Sequence, residues 1–146
     1  MNPSTSYDKV ICCLTIWREA RNQSQQARNG VFHVILNRAA QSPKQGWPNT
    51  VHGVCVQPFQ FSSFNQGDPA SVTWPLEKHT ADWQAWEEIQ QMIESPLLAD
   101  PTNGANFYHD NSIPPPYAAW LGPTATMEQL LAKKTCDIGA LSFYCL

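Results

Sequence analysis

Between Val10 and Trp17 the chain is almost unbrokenly apolar and holds neither Gly nor Pro, a pattern that predicts a helix buried on most sides. With a rotation of about 100° per residue, Val10, Cys13, Leu14 and Trp17 share one stripe, and Cys12, Thr15, Ile16 and Glu19 share the opposite one. Glu19 therefore ends a segment otherwise built for burial. Ser24 suits the N-cap of a second helix running from Gln25 to about Gln41, with Ala27, Val31, Val34, Ile35 and Arg38 at helical spacing on one side. Gly30 inside it costs about 1 kcal/mol relative to Ala, which predicts close backbone approach to a neighbour. The expected neighbour is the first helix, antiparallel across a short connection.

Residues 42–49 read as a loop from their turn-forming composition, and Thr50 to Val56 as either a helical turn or a short strand. Residues 57–64 alternate polar and aromatic side chains, predicting a short strand or extended segment with one buried face, closed by Gln66 to Pro69. A third helix fits Glu77 to about Ser95, with Trp83, Trp86, Ile89, Met92 and Ile93 as its stripe and Pro96 as its stop. Then follow a turn over 100–105, a short alternating segment over 106–109, a proline-rich loop over 113–117, a helix over Thr126 to Lys133, and a closing turn and strand over 137–144. No repeat or linker interrupts the order. One α+β domain, mainly helical with a few short strands, is expected across residues 1–146.

The totals narrow the function. A chain of 146 residues with 42% hydrophobic and 14% charged residues is globular and large enough for one ordinary core. Net charge is −3 with no Lys/Arg cluster, so the electrostatic footprint of a nucleic-acid binder is missing. No window has the apolar length of a membrane span, and the residues before Val10 lack the basic region of a secretory signal, so the chain reads as made in the cytoplasm without a signal of its own. Cys12, Cys13, Cys55, Cys136 and Cys145 match neither a zinc pattern nor a disulfide framework. They read as mostly free thiols, with Cys136 and Cys145 flanking a candidate hairpin and able to pair if oxidised. No His, Asp and Glu set has metal-ligand spacing such as His-Glu-x-x-His, and no cofactor is implied. Six tryptophans suit ring-shaped ligands such as sugars, although packing is the commoner use of so much aromatic surface.

The candidate chemistry starts from Glu19. A carboxylate flanked by apolar neighbours loses hydration, which disfavours its charged form and raises its pKa toward the range of a general acid. Arg18 and Arg21 supply the competing reading, a structural ion pair near a helix C-terminus.

Six segments in order carry a family resemblance: Glu19-Ala20-Arg21, residues 34–38 ending in Asn37-Arg38, residues 47–51, Gln60-Phe61-Ser62, residues 100–108, and Ile138-Gly139 with Phe143-Tyr144. Together they resemble the catalytic domain of the SleB-type cell wall hydrolases, the spore-cortex-lytic enzymes, over nearly the whole chain. The resemblance implies a lysozyme-like fold related to the soluble lytic transglycosylases and cleavage of the peptidoglycan glycan strand. It assigns the acid to Glu19, the first Glu of the family's Gly-Glu-Ala-Arg-Gly-Glu motif. The chain departs from that motif with Arg18 and Asn22 at the glycines and Gln23 at the second Glu, and has Leu141 where the closing segment usually carries His. The implied mechanism needs one carboxyl group. Glu19 protonates the leaving oxygen between N-acetylmuramic acid and N-acetylglucosamine, the muramic acid's own hydroxyl attacks the anomeric carbon, and the ionised Glu takes that proton. Asp68, Asp100 and Asp110 lie in turn-like contexts suited to capping. One of them as a second carboxylate would make the chain a hydrolytic muramidase with a water nucleophile.

Gln60, Ser62, Asn106 and Tyr108 are the candidate substrate-binding residues, each equally open to a structural hydrogen bond. Phe61 and Phe107 are expected in the core, and Trp47 and Trp120 as packing in preference to a sugar platform. Two rivals remain. A cysteine amidase or peptidase would need Cys12 or Cys13 at a helix N-terminus with His33, His52, His79 or His109 as base, whereas both cysteines fall inside an apolar helix. A non-catalytic peptidoglycan-binding or virion module would keep the groove without the chemistry. The short chain without wall-binding repeats suggests a phage endolysin released through a holin, acting as a monomer on the bacterial wall.

Overall fold

The computed structural model describes residues 3–58, 60–95 and 99–146. Helix α1 spans Ser6–Ala20, α2 Gln25–Ala40, α3 Val51–Val56 and α4 Ala81–Glu94. Strand β1 covers Phe107–Asp110, α5 Tyr117–Leu121, α6 Met127–Leu131, β2 Lys134–Ile138 and β3 Leu141–Tyr144. Short 3-10 turns occupy Lys44–Gly46, Ser62–Phe64 and Pro69–Val72. The sheet order is β1-β3-β2, both pairings antiparallel, with Phe107 opposite Tyr144 and Ile138 opposite Leu141. Central β3 is buried at all four positions, as a strand covered on both faces must be.

Helix starts follow local chemistry. Thr5 accepts the Asp8 N–H while the Asp8 carboxylate accepts the Thr5 N–H, closing a capping box on α1. Ser24 caps α2 through the Ala27 N–H, as expected. Thr50 accepts the Gly53 N–H, which decides the ambiguous segment in favour of helix. Thr80 does the same for the Trp83 N–H, so α4 begins after Thr80 and not at Glu77. The expected stop at Pro96 lies outside the described residues.

Four expectations change. Val10 is 50% exposed because the first turns of α1 stand at the surface, and burial on all sides begins at Cys12. The close neighbour of Gly30 is β3, not α1: a Cβ there would lie 2.6 Å from the Phe143 ring. Residues 60–64 form a tight turn and not a strand, because Arg18 gathers them in, and Phe59 of the expected segment lies outside the described residues. The guanidinium donates to the carbonyls of Ser63, Ser71 and Thr73 and lies against the rings of Phe64 and Trp74. Finally, α5 follows the proline-rich loop, where the fixed φ of Pro116 suits a helix entry.

The main core joins α1 to α4 with β3 and includes Cys12, Ile16, Trp17, Val31, Ile35, Phe61, Ile89 and Phe143. A smaller cluster of Trp47, Phe107, Leu130 and Tyr144 packs under Tyr117 and Trp120. All five cysteines are free. Among the described residues no helix is long and apolar enough to cross a membrane.

Candidate active site

Glu19 is the penultimate residue of α1, where the buried body of the helix gives way to the connection with α2. Its side chain is half-buried and lines a groove of about 830 Å³. The Tyr108 hydroxyl donates to Glu19 Oε2 at 3.0 Å. Burial raises the carboxyl group above the ordinary range, bonding from Tyr108 and the neighbouring Ser63 pulls it partly back, and the charge of Asp68 adds to the rise. Burial and the adjacent Glu19 push the Tyr108 phenol well up, so it stays neutral and remains a donor.

The ion-pair reading of Glu19 fails on geometry. Arg18 is spent on backbone carbonyls, and Arg21 lies over the Trp17 ring with Nε 3.5 Å from Asp82. Both point away because α1 turns them toward the loop over 63–73 and toward α4, leaving Glu19 to face β1.

Gln60, Ser62 and Tyr108 line the groove with Glu19. Asn106 does not. It is fully buried, its amide donates to Gln41 Oε1 and to the Leu146 carbonyl, each at 2.9 Å, and its carbonyl oxygen accepts the Leu146 N–H at 2.8 Å. With both ends of its amide occupied, it ties the chain end to α2. Phe61 is core, whereas Phe107, Trp47 and Trp120 pack together and also reach the groove wall.

The groove also holds residues outside these site candidates, two of which the sequence offered in other roles, His109 as the base of a cysteine enzyme and Asp110 as a second carboxylate. Gln23 and Leu141, two of the motif departures, both line it, as do Arg38, His109 and Asp110. His109 shares a 3.0 Å contact with the Tyr144 hydroxyl and packs on the rings of Tyr144 and Trp120. Asp110 accepts the Ser112 N–H at 2.8 Å and is held below the usual carboxylate range by that residue. Asp100 instead caps its own turn through Thr102 and Gly104. The sequence signal for Gln23 and Leu141 was their place in the family motif, and Arg38 showed only as part of an apolar stripe.

Cys12 and Cys13 are buried inside α1, and burial pushes both thiols up, away from the reactive thiolate. Among the described residues no group of three or more His, Cys, Asp or Glu is placed to hold a metal ion.

A family model for cell wall hydrolases matches residues 22–144. The chain belongs to the cell wall hydrolase family. As a member it is an enzyme acting on peptidoglycan. Two solved structures share its fold. The catalytic domain of the Bacillus cereus SleB protein superposes with a TM-score of 0.61 at 23% identity, covering 99% of this chain and 94% of that one. The catalytic domain of the germination-specific lytic transglycosylase SleB from Bacillus anthracis gives 0.62 at 23% identity, covering 99% and 98%. The fold of this cell wall hydrolase is thus lysozyme-like, with the expected predominance of helix. None of the curated proteins compared matches the chain by sequence.

Proposed function

We propose that the chain is a lytic transglycosylase that cleaves the bond from N-acetylmuramic acid to N-acetylglucosamine, with Glu19 as general acid and then base. The observation that carries this reading is a half-buried carboxyl group in the groove, raised by burial, held by Tyr108 and unpaired with either adjacent arginine. Protonated Glu19 gives its proton to the glycosidic oxygen as the anomeric C–O bond breaks. The muramic acid's 6-hydroxyl then bonds to the anomeric carbon and returns its proton to the carboxylate, which restores the acid and leaves an anhydro ring. Gln60, Ser62 and Tyr108 hold the glycan, and the family resemblance of the first helix end supports the same assignment.

Asp110 favours a second reading. Its carboxylate lines the same groove as Glu19 and is anchored by the Ser112 N–H, so it supplies a second carboxylate to which water could give a proton during hydrolysis. Mass spectrometry of digested peptidoglycan separates the two: anhydromuramoyl ends are expected, reducing ends would assign hydrolysis, and free stem peptides would overturn both. Glu19→Gln should lower turbidity clearance of peptidoglycan by about 10²-fold or more, the usual scale of a lost general acid. Undiminished clearance by that variant would remove Glu19 from the chemistry.

A further inference from the structure

Arg38 closes the last turn of α2 and lines the groove, yet its side chain is only 4% exposed. Nε donates to the Asn106 carbonyl at 2.7 Å and Nη1 to Gln60 Oε1 at 3.4 Å. The rings of Trp47, Phe61 and Phe107 surround the guanidinium, with centroids 5.5, 5.1 and 5.0 Å from its central carbon. Burial lowers the group only to about 10, with Tyr108, Cys55 and Glu19 opposing the drop, so it is a cation at neutral pH. Among the described residues no Asp or Glu forms an ion pair with it, and Nη2 has no hydrogen-bond partner. Burying a guanidinium is costly when no carboxylate compensates it.

The same arrangement fixes Gln60. Trp47 Nε1–H donates to the Gln60 amide atom that Arg38 also reaches, at 3.2 Å. Both groups are donors only, so the shared atom is Oε1 and the NH₂ is turned the other way. That NH₂ makes no hydrogen bond to a described residue. Two donors without acceptors, Arg38 Nη2 and the Gln60 NH₂, therefore belong to one groove wall.

We propose that Arg38 and Gln60 form a subsite for a carboxylate carried by the substrate. The inference rests on the glycan-cleaving reading above and adds what else the groove recognises. A guanidinium edge and an adjacent amide N–H match the two oxygens of a carboxylate, and the ligand supplies a directly bonded counterion where Glu19 acts on Arg38 only without an ion-pair contact. In peptidoglycan that carboxylate has two sources. Muramic acid stripped of its peptide exposes its lactyl carboxylate, whereas in the peptide-bearing strand the lactyl carboxyl is an amide and the charges sit on the stem.

The test is calorimetric binding to the Glu19→Gln variant, which separates recognition from cleavage. Three ligands are compared: chitotetraose, a peptide-free tetrasaccharide of alternating N-acetylglucosamine and N-acetylmuramic acid, and that tetrasaccharide with its stem peptides. At least one carboxylate-bearing ligand should bind on the order of tenfold more tightly than chitotetraose, the scale of a hydrogen bond to a charged group. Whichever does so names the source. Adding Gln60→Glu should erase the advantage, because a carboxylate at residue 60 occupies the guanidinium and repels the ligand. That variant keeps an acceptor for both Arg38 and Trp47, so its melting temperature should be close to the parent's. Equal binding of all three ligands, or an advantage that survives Gln60→Glu, overturns the subsite and leaves the glycosidase standing. Binding of none overturns both.

Discussion

At Glu19 the physics of folding and the proposed chemistry pull in opposite directions. Its carboxyl pKa in the folded protein lies above the unfolded value, chiefly through burial, so the ionised form is penalised by folding. The sign follows: below the ordinary carboxylate range the site costs nothing, and the cost appears as pH rises through that range and past the folded value. Glu19→Gln should accordingly raise the melting temperature at neutral pH while abolishing clearance, and a lowered melting temperature would contradict the burial argument. Tyr108 tunes the same group. Its hydrogen bond favours the charged carboxylate, so Tyr108→Phe should raise the pKa of Glu19 and move the alkaline limb of the rate profile to higher pH. A limb displaced to lower pH, or not at all, would show that Glu19 does not govern it. The sequence made Glu19 legible as a candidate acid because an ionisable residue stood at the end of an apolar run. It also suggested an arginine partner, since proximity in sequence does not tell which way a helix turns its side chains, and Arg18 and Arg21 in fact hold neighbouring elements.

Two contacts between elements decide whether the groove keeps its shape. Gly30 lets α2 lie against β3, and a methyl group there would press on the fully buried Phe143 ring at 2.6 Å and on Thr102 at 3.2 Å. Because neither neighbour is free to move, Gly30→Ala should cost about 1–3 kcal/mol despite the better helix propensity of Ala, and lower the melting temperature by several degrees. An unchanged melting curve would mean that β3 yields. At the other end of α1, Asp8 takes the Ser4 and Thr5 N–H groups and a 2.7 Å contact from His52 on α3. Burial pushes this carboxyl up, but the hydrogen bonds from His52 and Thr5 outweigh it and hold the group far below the usual range. Its stabilising contribution is therefore full above the unfolded carboxylate pKa, near 3.9, and is lost as pH falls toward the folded value. Asp8→Asn should cost about 1–3 kcal/mol at neutral pH and flatten the loss of stability between about pH 5 and pH 3, read by denaturant titration across that range. The Ser24 cap of α2 was legible in the sequence because a Ser side chain acts over three residues. The turn at 62–64 was not, because Arg18, more than forty residues away, imposes it.

The groove is a property of the whole chain, since its walls come from the end of α1, the end of α2, Gln45, Trp47, Gln60 and Ser62, β1, the loop and helix over 113–120, and the first residue of β3. Of the proposed site residues, Glu19, Gln60, Ser62 and Tyr108 line this groove and Asn106 does not, because its alternation with Phe107 and Tyr108 does not reveal that Leu146 lies across it. Arg38 was visible only as part of an apolar stripe, because a buried cation caged by three rings cannot be told from a core position by spacing. The long-range field follows from composition: nine basic against twelve acidic residues leave a net charge of −3, with no Lys/Arg cluster in the sequence to hold an anionic wall. Recognition must then come from the groove, where contacts are short and shielded by protein, while the exposed charges repel the wall weakly. Raising salt from about 20 to about 200 mM screens that repulsion and should leave kcat/KM on purified peptidoglycan unchanged or higher. A steep fall over the same range would instead reveal electrostatic attachment to the wall through exposed cations, and would shift substrate capture from the groove to the surface.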